Sequence, residues 1–305
     1  MRIISVNMDI ISEATLAAKN LPVQSLKSWT GASVIRVDML RLDLFDPVIS
    51  GNKWYKLIYN LQAAKEQGFT TILTFGGPFS NHLVAAAAAA KKYGFRAIGI
   101  VRGMEPQSTV TLKDCIAYGM QLHGVTREEY KLKNDSDYLS AVSKQFNQPF
   151  IIPEGGANEA GRKGSALIAE MISDEYTNIC LSAGTGTTLA GIRSILPVHQ
   201  HVIGFAPMKG GHYLEEEIKP FLSEEKHDTF HITDEWHFGG FGKITPALQS
   251  FMDSFFSETD IQLDRVYTGK MMFGLQEMIA RGEFDRDAKI LCIHTGGVQG
   301  NVTMR

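Results

Sequence analysis

Cysteine is scarce in this chain. The three present, Cys115, Cys180 and Cys292, are widely separated and odd in number. That excludes a disulfide framework and leaves no C-x-x-C metal or redox motif. A charge excess is missing too. Lys and Arg total 30 against 33 Asp and Glu, a formal net charge of -3, with no Lys/Arg-rich run and no aromatic RNA-binding signature. Nucleic-acid binding is therefore not expected. Long apolar runs are absent as well, since the longest, Leu83 to Ala90, falls far short of a membrane span. The N-terminal stretch carries Asp9 and Glu13 and does not read as a signal peptide. These absences describe a cytoplasmic chain with no membrane partner. Nine histidines are scattered, and His199 with His201 has no carboxylate or cysteine at ligand spacing, so no metal site is expected. Nor is there a G-x-S-x-G elbow to supply the nucleophile of a Ser/His/Asp hydrolase.

What is present reads as an ordinary globular chain. With 305 residues, 44% hydrophobic and 21% charged, it can form one large or two medium domains around a well-buried core. A short helix is expected over Ser12 to Lys19, and an exposed or edge strand over Val34 to Leu44. From Thr70 onward strands and helices alternate. Strands are predicted at Thr70–Phe75, Arg96–Val101, Phe150–Ile152, Asn178–Ser182, His201–Phe205, Phe230–Thr233 and Lys289–His294. Helices lie between them, one of them over Val110–Leu122. Such alternation predicts an α/β fold with parallel sheets and right-handed crossovers. No flexible linker separates the halves, so two domains would share an interface. Ligands in such sheets gather at the carboxyl ends of strands, here the loops 76–81, 183–188 and 294–297, all rich in Gly, Ser, Thr and Asn.

One further stretch stands out. Ser50-Gly51-Asn52-Lys53-Trp54-Tyr55-Lys56-Leu57 is a turn feeding an amphipathic helix. Trp54, Leu57, Ile58, Leu61 and Ala64 line one face, while Lys56, Asn60, Gln62 and Lys65 fill the other. Lys53 falls in the first helical turn, where the positive end of the dipole disfavours an ammonium and helps an amine that must be neutral to attack a carbonyl. Read alone, it is more readily a surface lysine beside a cap. Gly184-Thr185-Gly186-Thr187-Thr188 follows a strand and opens a helix, offering backbone N–H groups and three hydroxyls to a phosphate. With neither a P-loop lysine nor the dinucleotide glycine spacing, it suits a single phosphate group. A reactive lysine, a lone-phosphate cup and polar side chains at two other strand ends are together what pyridoxal phosphate needs.

At this point the chain resembles the 1-aminocyclopropane-1-carboxylate deaminase / D-cysteine desulfhydrase family. The matching stretches are Ser50-Gly51-Asn52-Lys53-x-x-Lys56-Leu57, Gly76-Gly77-x-x-Ser80-Asn81-His82, Pro153-Glu154-Gly155-Gly156-Ala157-Asn158, Gly184-Thr185-Gly186-Thr187-Thr188, Val266-Tyr267-x-Gly269-Lys270 and His294-Thr295-Gly296-Gly297. The resemblance implies pyridoxal 5'-phosphate as cofactor and the tryptophan synthase β-subunit fold (fold type II), with two three-layer αβα domains and mostly parallel sheets. A large domain would comprise residues 1–53 and 166–305, and a small inserted one residues 54–165. A homodimer is usual for this fold type.

Carried over by resemblance, Lys53 is the Schiff-base lysine and Asn81 the partner of the cofactor's phenolic oxygen. Gly184, Thr185, Gly186, Thr187 and Thr188 hold the phosphate, and Thr295 faces the pyridine nitrogen. Ser80, Asn81, His82 and Tyr267 border the substrate, with Lys53, Ser80 and Tyr267 the catalytic candidates. Ring-opening members are expected to carry a tyrosine where Cys292 stands, which weighs against cyclopropane opening. The leading expectation is thus β-elimination from a small amino acid, D-cysteine first, giving pyruvate, ammonia and sulfide. Deamination of 1-aminocyclopropane-1-carboxylate and a non-catalytic pyridoxal-phosphate-binding protein are the alternatives.

Overall fold

Short runs of Ile, Val, Leu and Phe, closed by glycine or polar residues, form ten strands among the described residues of the computed structural model, sorted into two sheets. The described residues are 10–12, 21–30, 34–103, 109–298 and 301, so most of the expected opening helix lies outside them. The strands are β1 (Val23–Ser25), β2 (Arg36–Leu40), β3 (Thr71–Gly76), β4 (Arg96–Arg102), β5 (Met120–Val125), β6 (Phe150–Ile152), β7 (Asn178–Ser182), β8 (His201–Phe205), β9 (Phe230–Thr233) and β10 (Lys289–Ile293). One sheet has the order β1-β2-β10-β7-β8-β9, with every neighbouring pair parallel except β1 with β2. The other, β5-β4-β3-β6, is parallel throughout. Strands from both ends of the chain meet in the larger sheet, and the smaller one is built from residues 71–152.

The helices are α1 (Lys27–Thr30), α2 (Asn52–Glu66), α3 (Asn81–Tyr93), α4 (Val110–Ala117), α5 (Arg127–Lys131), α6 (Ser136–Gln145), α7 (Glu159–Ala166), α8 (Thr187–Ile195), α9 (Tyr213–Ile218), α10 (Pro246–Thr259) and α11 (Thr268–Ala280). Parallel sheets need cover on both faces, and each sheet here has it. Ile72 and Ala97 pack with α2, α3 and α4 on one face of the small sheet, while Leu73, Phe75 and Ile98 pack with Tyr130 and Val142 on the other. Leu181 and Leu291 of the large sheet meet α8, and Cys180, Ile203 and Cys292 meet α10 and α11. The helix α2 belongs to both halves, placing Trp54, Leu57, Ile58 and Leu61 in the small-sheet core and Tyr55 in the large-sheet core. Burying each of these side chains is worth about 1.5–3 kcal/mol.

Three local expectations fail for tertiary reasons. The predicted helix over Val110–Leu122 stops at Ala117, and Met120–Val125 pairs in parallel with β4 as an edge strand. Gly119, at φ +89°, makes the break. The strand expected over Val34–Leu44 is shorter and interior, because β1 covers its free edge. Its buried Asp38 is tolerated because it accepts hydrogen bonds from Tyr176 Oη at 2.8 Å and Arg36 Nε at 2.7 Å. Finally, the supposed polar face of α2 is not solvated at Lys56 and Asn60, which are 5% and 0% exposed. Asn60 and Asn158 exchange two amide hydrogen bonds of 3.2 and 2.7 Å there.

Candidate active site

Lys53 owes its position to a backbone lock between two loops. Gly51 precedes α2 with φ +67°, and a Cβ added to it would lie 2.0 Å from the Thr295 carbonyl oxygen. That same oxygen accepts a hydrogen bond of 3.3 Å from the Asn52 N–H. The start of α2 is thereby fastened to the loop after β10. Lys53 Nζ donates to Asn52 Oδ1 at 2.6 Å and lies 5.8 Å from the centre of the Tyr267 ring. The side chain is half-buried. Desolvation of its amine lowers the pKa to about 8, with the Asp264 carboxylate opposing the shift. A useful neutral fraction is therefore available near neutral pH, as the sequence argument requires.

The loop 183–188 forms the second part of the site. Gly186 adopts φ +68° and caps α8, and Thr185 Oγ1 lies 2.9 Å from Thr187 Oγ1. Asn52 Nδ2 donates to Thr188 Oγ1 at 2.9 Å. Lys56, one turn after Lys53, donates from Nζ to Thr185 Oγ1 at 3.2 Å. Burial, and then the neighbouring Lys53, holds its pKa well below the ordinary value. Among the described residues Lys56 has no carboxylate partner. A buried amine and a helix N-terminus thus converge on one point with no negative charge from the chain to balance them. That donor set fits a phosphate. Sequence reasoning gave the loop no lysine, because the lysine comes from another helix.

Tyr267 closes the opposite side. A Cβ on Gly184 would lie 3.3 Å from its Cε1, so the ring rests directly on the backbone of the phosphate-type loop. Burial, Asp264 and Glu154 all raise its phenol pKa, which keeps it a neutral proton donor. Asp264 was not singled out from the sequence. It is 3% exposed, and its Oδ1 accepts from the N–H groups of Val266 at 3.1 Å and Tyr267 at 2.5 Å. Burial raises its pKa to about 6 against the pull of the Tyr267 N–H and of Lys53. An Asp three residues before Tyr267, at a helix start, was its only sequence signal.

The loop after β3 supplies the remaining candidates. Ser80 caps α3, its Oγ accepting from the Leu83 N–H at 3.3 Å, which leaves its own proton free to donate. Asn81 Nδ2 and Asp264 Oδ2 flank the same space beside Gly297, at 2.7 and 3.3 Å from where a Cβ would stand. His82 is 3% exposed, with Nε2 2.9 Å from Thr74 Oγ1 and Nδ1 buried without a partner. Burial, then Lys56 and Lys53, lowers its pKa to about 3, so it is a neutral imidazole. Thr295 is 5% exposed and abuts Gly51 through its carbonyl. The preceding His294 fixes this loop, with Nε2 2.9 Å from Gln262 O and Nδ1 accepting from the Gly296 N–H at 3.2 Å. Cys292 does not reach this cluster. It is fully buried between the large sheet and α11, paired across strands with Cys180. Its side chain points into the core because alternate strand residues face opposite ways, so it gives no argument for or against ring opening.

Comparison with known proteins agrees with this geometry. No protein-family model matches the chain. A Pyrococcus horikoshii protein named "Putative 1-aminocyclopropane-1-carboxylate deaminase" is 30% identical, the match covering 92% of this chain and 90% of that one. A D-cysteine desulfhydrase from Salmonella paratyphi A is 28% identical, covering 84% and 85%. The crystal structure of a homologue of 1-aminocyclopropane-1-carboxylate deaminase superposes with a TM-score of 0.77 at 29% identity, over 92% of this chain and 90% of that one. The protein therefore belongs to the 1-aminocyclopropane-1-carboxylate deaminase / D-cysteine desulfhydrase family, pyridoxal-phosphate-dependent enzymes of fold type II.

Proposed function

We propose that this enzyme binds pyridoxal 5'-phosphate and catalyses β-elimination from D-cysteine. D-cysteine and water would give pyruvate, ammonia and hydrogen sulfide. The observation that carries the cofactor reading is the pairing of Lys53, an amine of lowered pKa, with a cup of donors made by Lys56 Nζ, the threonine loop and the start of α8, to which no carboxylate among the described residues is paired. Bound there, the cofactor would supply the electron sink that stabilises negative charge on the substrate α-carbon. Lys53 Nζ would hold it covalently, and Lys56 Nζ, Thr185, Thr187, Thr188 and the N–H groups at the start of α8 would take its phosphate. Asn81 Nδ2 would meet its phenolic oxygen, and the Thr295 hydroxyl would face its ring nitrogen.

The chain's own groups would then divide the proton traffic. Displaced by the substrate amine, Lys53 Nζ would take the α-proton, with Ser80 Oγ the alternative base. Tyr267 Oη, neutral across the physiological range, would protonate the departing thiolate. Ser80 and the neutral His82 would orient the substrate carboxylate through hydrogen bonds rather than charge. Deamination of 1-aminocyclopropane-1-carboxylate is the second reading, favoured by the 30%-identical relative of that name.

The test is release of pyruvate and sulfide from D-cysteine, L-cysteine and 1-aminocyclopropane-1-carboxylate, read alongside 2-oxobutanoate. D-cysteine alone should give both pyruvate and sulfide. 2-Oxobutanoate from the cyclopropane with no sulfide would overturn the leading reading in favour of the second. Lys53→Ala should release the cofactor on gel filtration and lose its lysine-linked visible band; an unchanged spectrum would remove Lys53 from its role.

A further inference from the structure

Within Val266-Tyr267-x-Gly269-Lys270 the proposed reaction uses the tyrosine and leaves the lysine without a task. Lys270 sits in the first turn of α11 and is 2% exposed. Among the described residues its Nζ forms no ion pair, Asp264 acting on it only at longer range. It donates instead to four backbone carbonyl oxygens: Pro207 at 3.1 Å, His237 at 2.9 Å, Gly240 at 2.8 Å and Phe241 at 3.1 Å. An ammonium has three protons that four carbonyl oxygens around it can share. Removing it would strip their side-chain donor from the Pro207 and Phe241 carbonyls, while His237 O keeps the Gly240 N–H at 3.0 Å and Gly240 O the Lys243 N–H at 3.1 Å.

The clamped loop is held in an unusual course. Phe238, Gly239 and Gly240 have φ of +53°, +90° and +137°, and across this turn the carbonyls of His237, Gly240 and Phe241 are presented to Lys270. Phe238 anchors one end, its ring meeting Phe273 of α11 edge-on at 4.9 Å. Past the clamp, Phe241 is 45% exposed and lays its ring edge-on against Tyr267, with centroids 5.6 Å apart at 82°. Lys270 thus ties the loop to the very helix that Tyr267 begins.

We infer that Lys270 is a positioning residue for the substrate side of the site. By pinning the 237–241 loop to α11, it holds Phe241 against Tyr267 and fixes the wall that a substrate side chain meets. This rests on the reading that the substrate lies beside Tyr267. With the clamp gone, Phe241 swings away, the wall recedes, and bulkier β-substituents are admitted.

The test compares Lys270→Met, Phe241→Ala and the double variant by two readouts. One is hydrogen exchange at the amides of 237–242, measured on cofactor-loaded and cofactor-free protein. The other is the ratio of kcat/KM for S-ethyl-D-cysteine over D-cysteine, followed by pyruvate. Lys270→Met should speed loop exchange about tenfold while the rest of α11 is unchanged. Both single variants should raise the ratio about tenfold through KM, the scale at which a pocket reads a methylene or two. The double variant should go no further than either single one, because Lys270 acts through Phe241. Unchanged loop exchange in Lys270→Met overturns the inference, as does a ratio that moves in Phe241→Ala alone or adds in the double variant. Should Lys270→Met not fold, Lys270→Gln keeps two of the donors and should show an intermediate exchange rate; wild-type exchange there overturns the clamp. If the wild type releases pyruvate from neither amino acid, the proposed reaction falls, and loop exchange still decides the clamp.

Discussion

The site's chemistry turns on two lysines one helical turn apart, both driven toward neutrality by burial and Lys56 further by Lys53. Lys56 escapes a large desolvation cost only if an anion joins it. Replacing it by Gln keeps most of the volume and removes the charge. That should cost about 1.5–3 kcal/mol of cofactor affinity, roughly ten- to hundredfold, measurable as Kd from the visible band on titration. Asp264 acts in the opposite sense on Lys53, since its carboxylate raises the amine's pKa. In cofactor-free Asp264→Asn, the pH midpoint for acylation of Lys53 should fall below about 8. A midpoint that stays or rises would show that the two groups do not interact.

At the scale of elements, the loops after β3, β7 and β10 were legible in advance as a ligand edge, because carboxyl ends of parallel strands are where glycine-rich turns and helix starts converge. Their joining to α2 was not legible. It depends on Gly51, whose φ is +67° and where a Cβ would lie 2.0 Å from the Thr295 carbonyl oxygen, leaving no room for a side chain. Gly51→Ala should therefore cost more than about 2 kcal/mol from the left-handed conformation and the backbone clash together. It should also weaken the cofactor, since Lys53 and Asn52 lie on the displaced turn. Urea unfolding with and without cofactor separates the two effects. The strand β5 escaped prediction for a related reason. Met120–Val125 is short and mixed in polarity, and pairing with β4 decides its state.

For the whole molecule, α2 serves both cores, and the candidate site draws on the ends of both sheets. A ligand held by Lys53 and Lys56 on one side and by Asn81 on the other should stabilise the assembly as a unit. At a cofactor concentration of about 100 Kd, linkage gives roughly 2.7 kcal/mol, a rise in Tm of about 4 °C for a chain of this size. No rise in Tm on loading would argue that the cup and the α3 loop do not share a ligand. Asp264 adds a pH dependence to the cofactor-free protein. Its folded pKa, about 6, is raised above the ordinary 3.8, so its contribution to stability is fully present below about pH 4. That contribution is lost as pH rises through 6. Wild type and Asp264→Asn should consequently converge in stability near pH 4, with the variant the more stable at pH 7.

The sequence by itself determined the alternation of strands and helices, the absence of charge excess and disulfides, and the turn chemistry at three strand ends. Each is written in short-range patterns: hydrophobic period, glycine and cap residues, and spacing. Tertiary structure alone decided which polar residues are buried. Lys56 and Asn60 sit at positions of α2 that a helical wheel assigns to solvent, yet both are enclosed because α7 and the loop before α8 cover them. Asp264 stood out in no local pattern, and only the fold placed its second oxygen beside Asn81. Cys292, a position that mattered on resemblance, turned out to face the core. Burial sets pKa and partners, and burial follows from contacts between residues far apart in the chain, which no local pattern encodes.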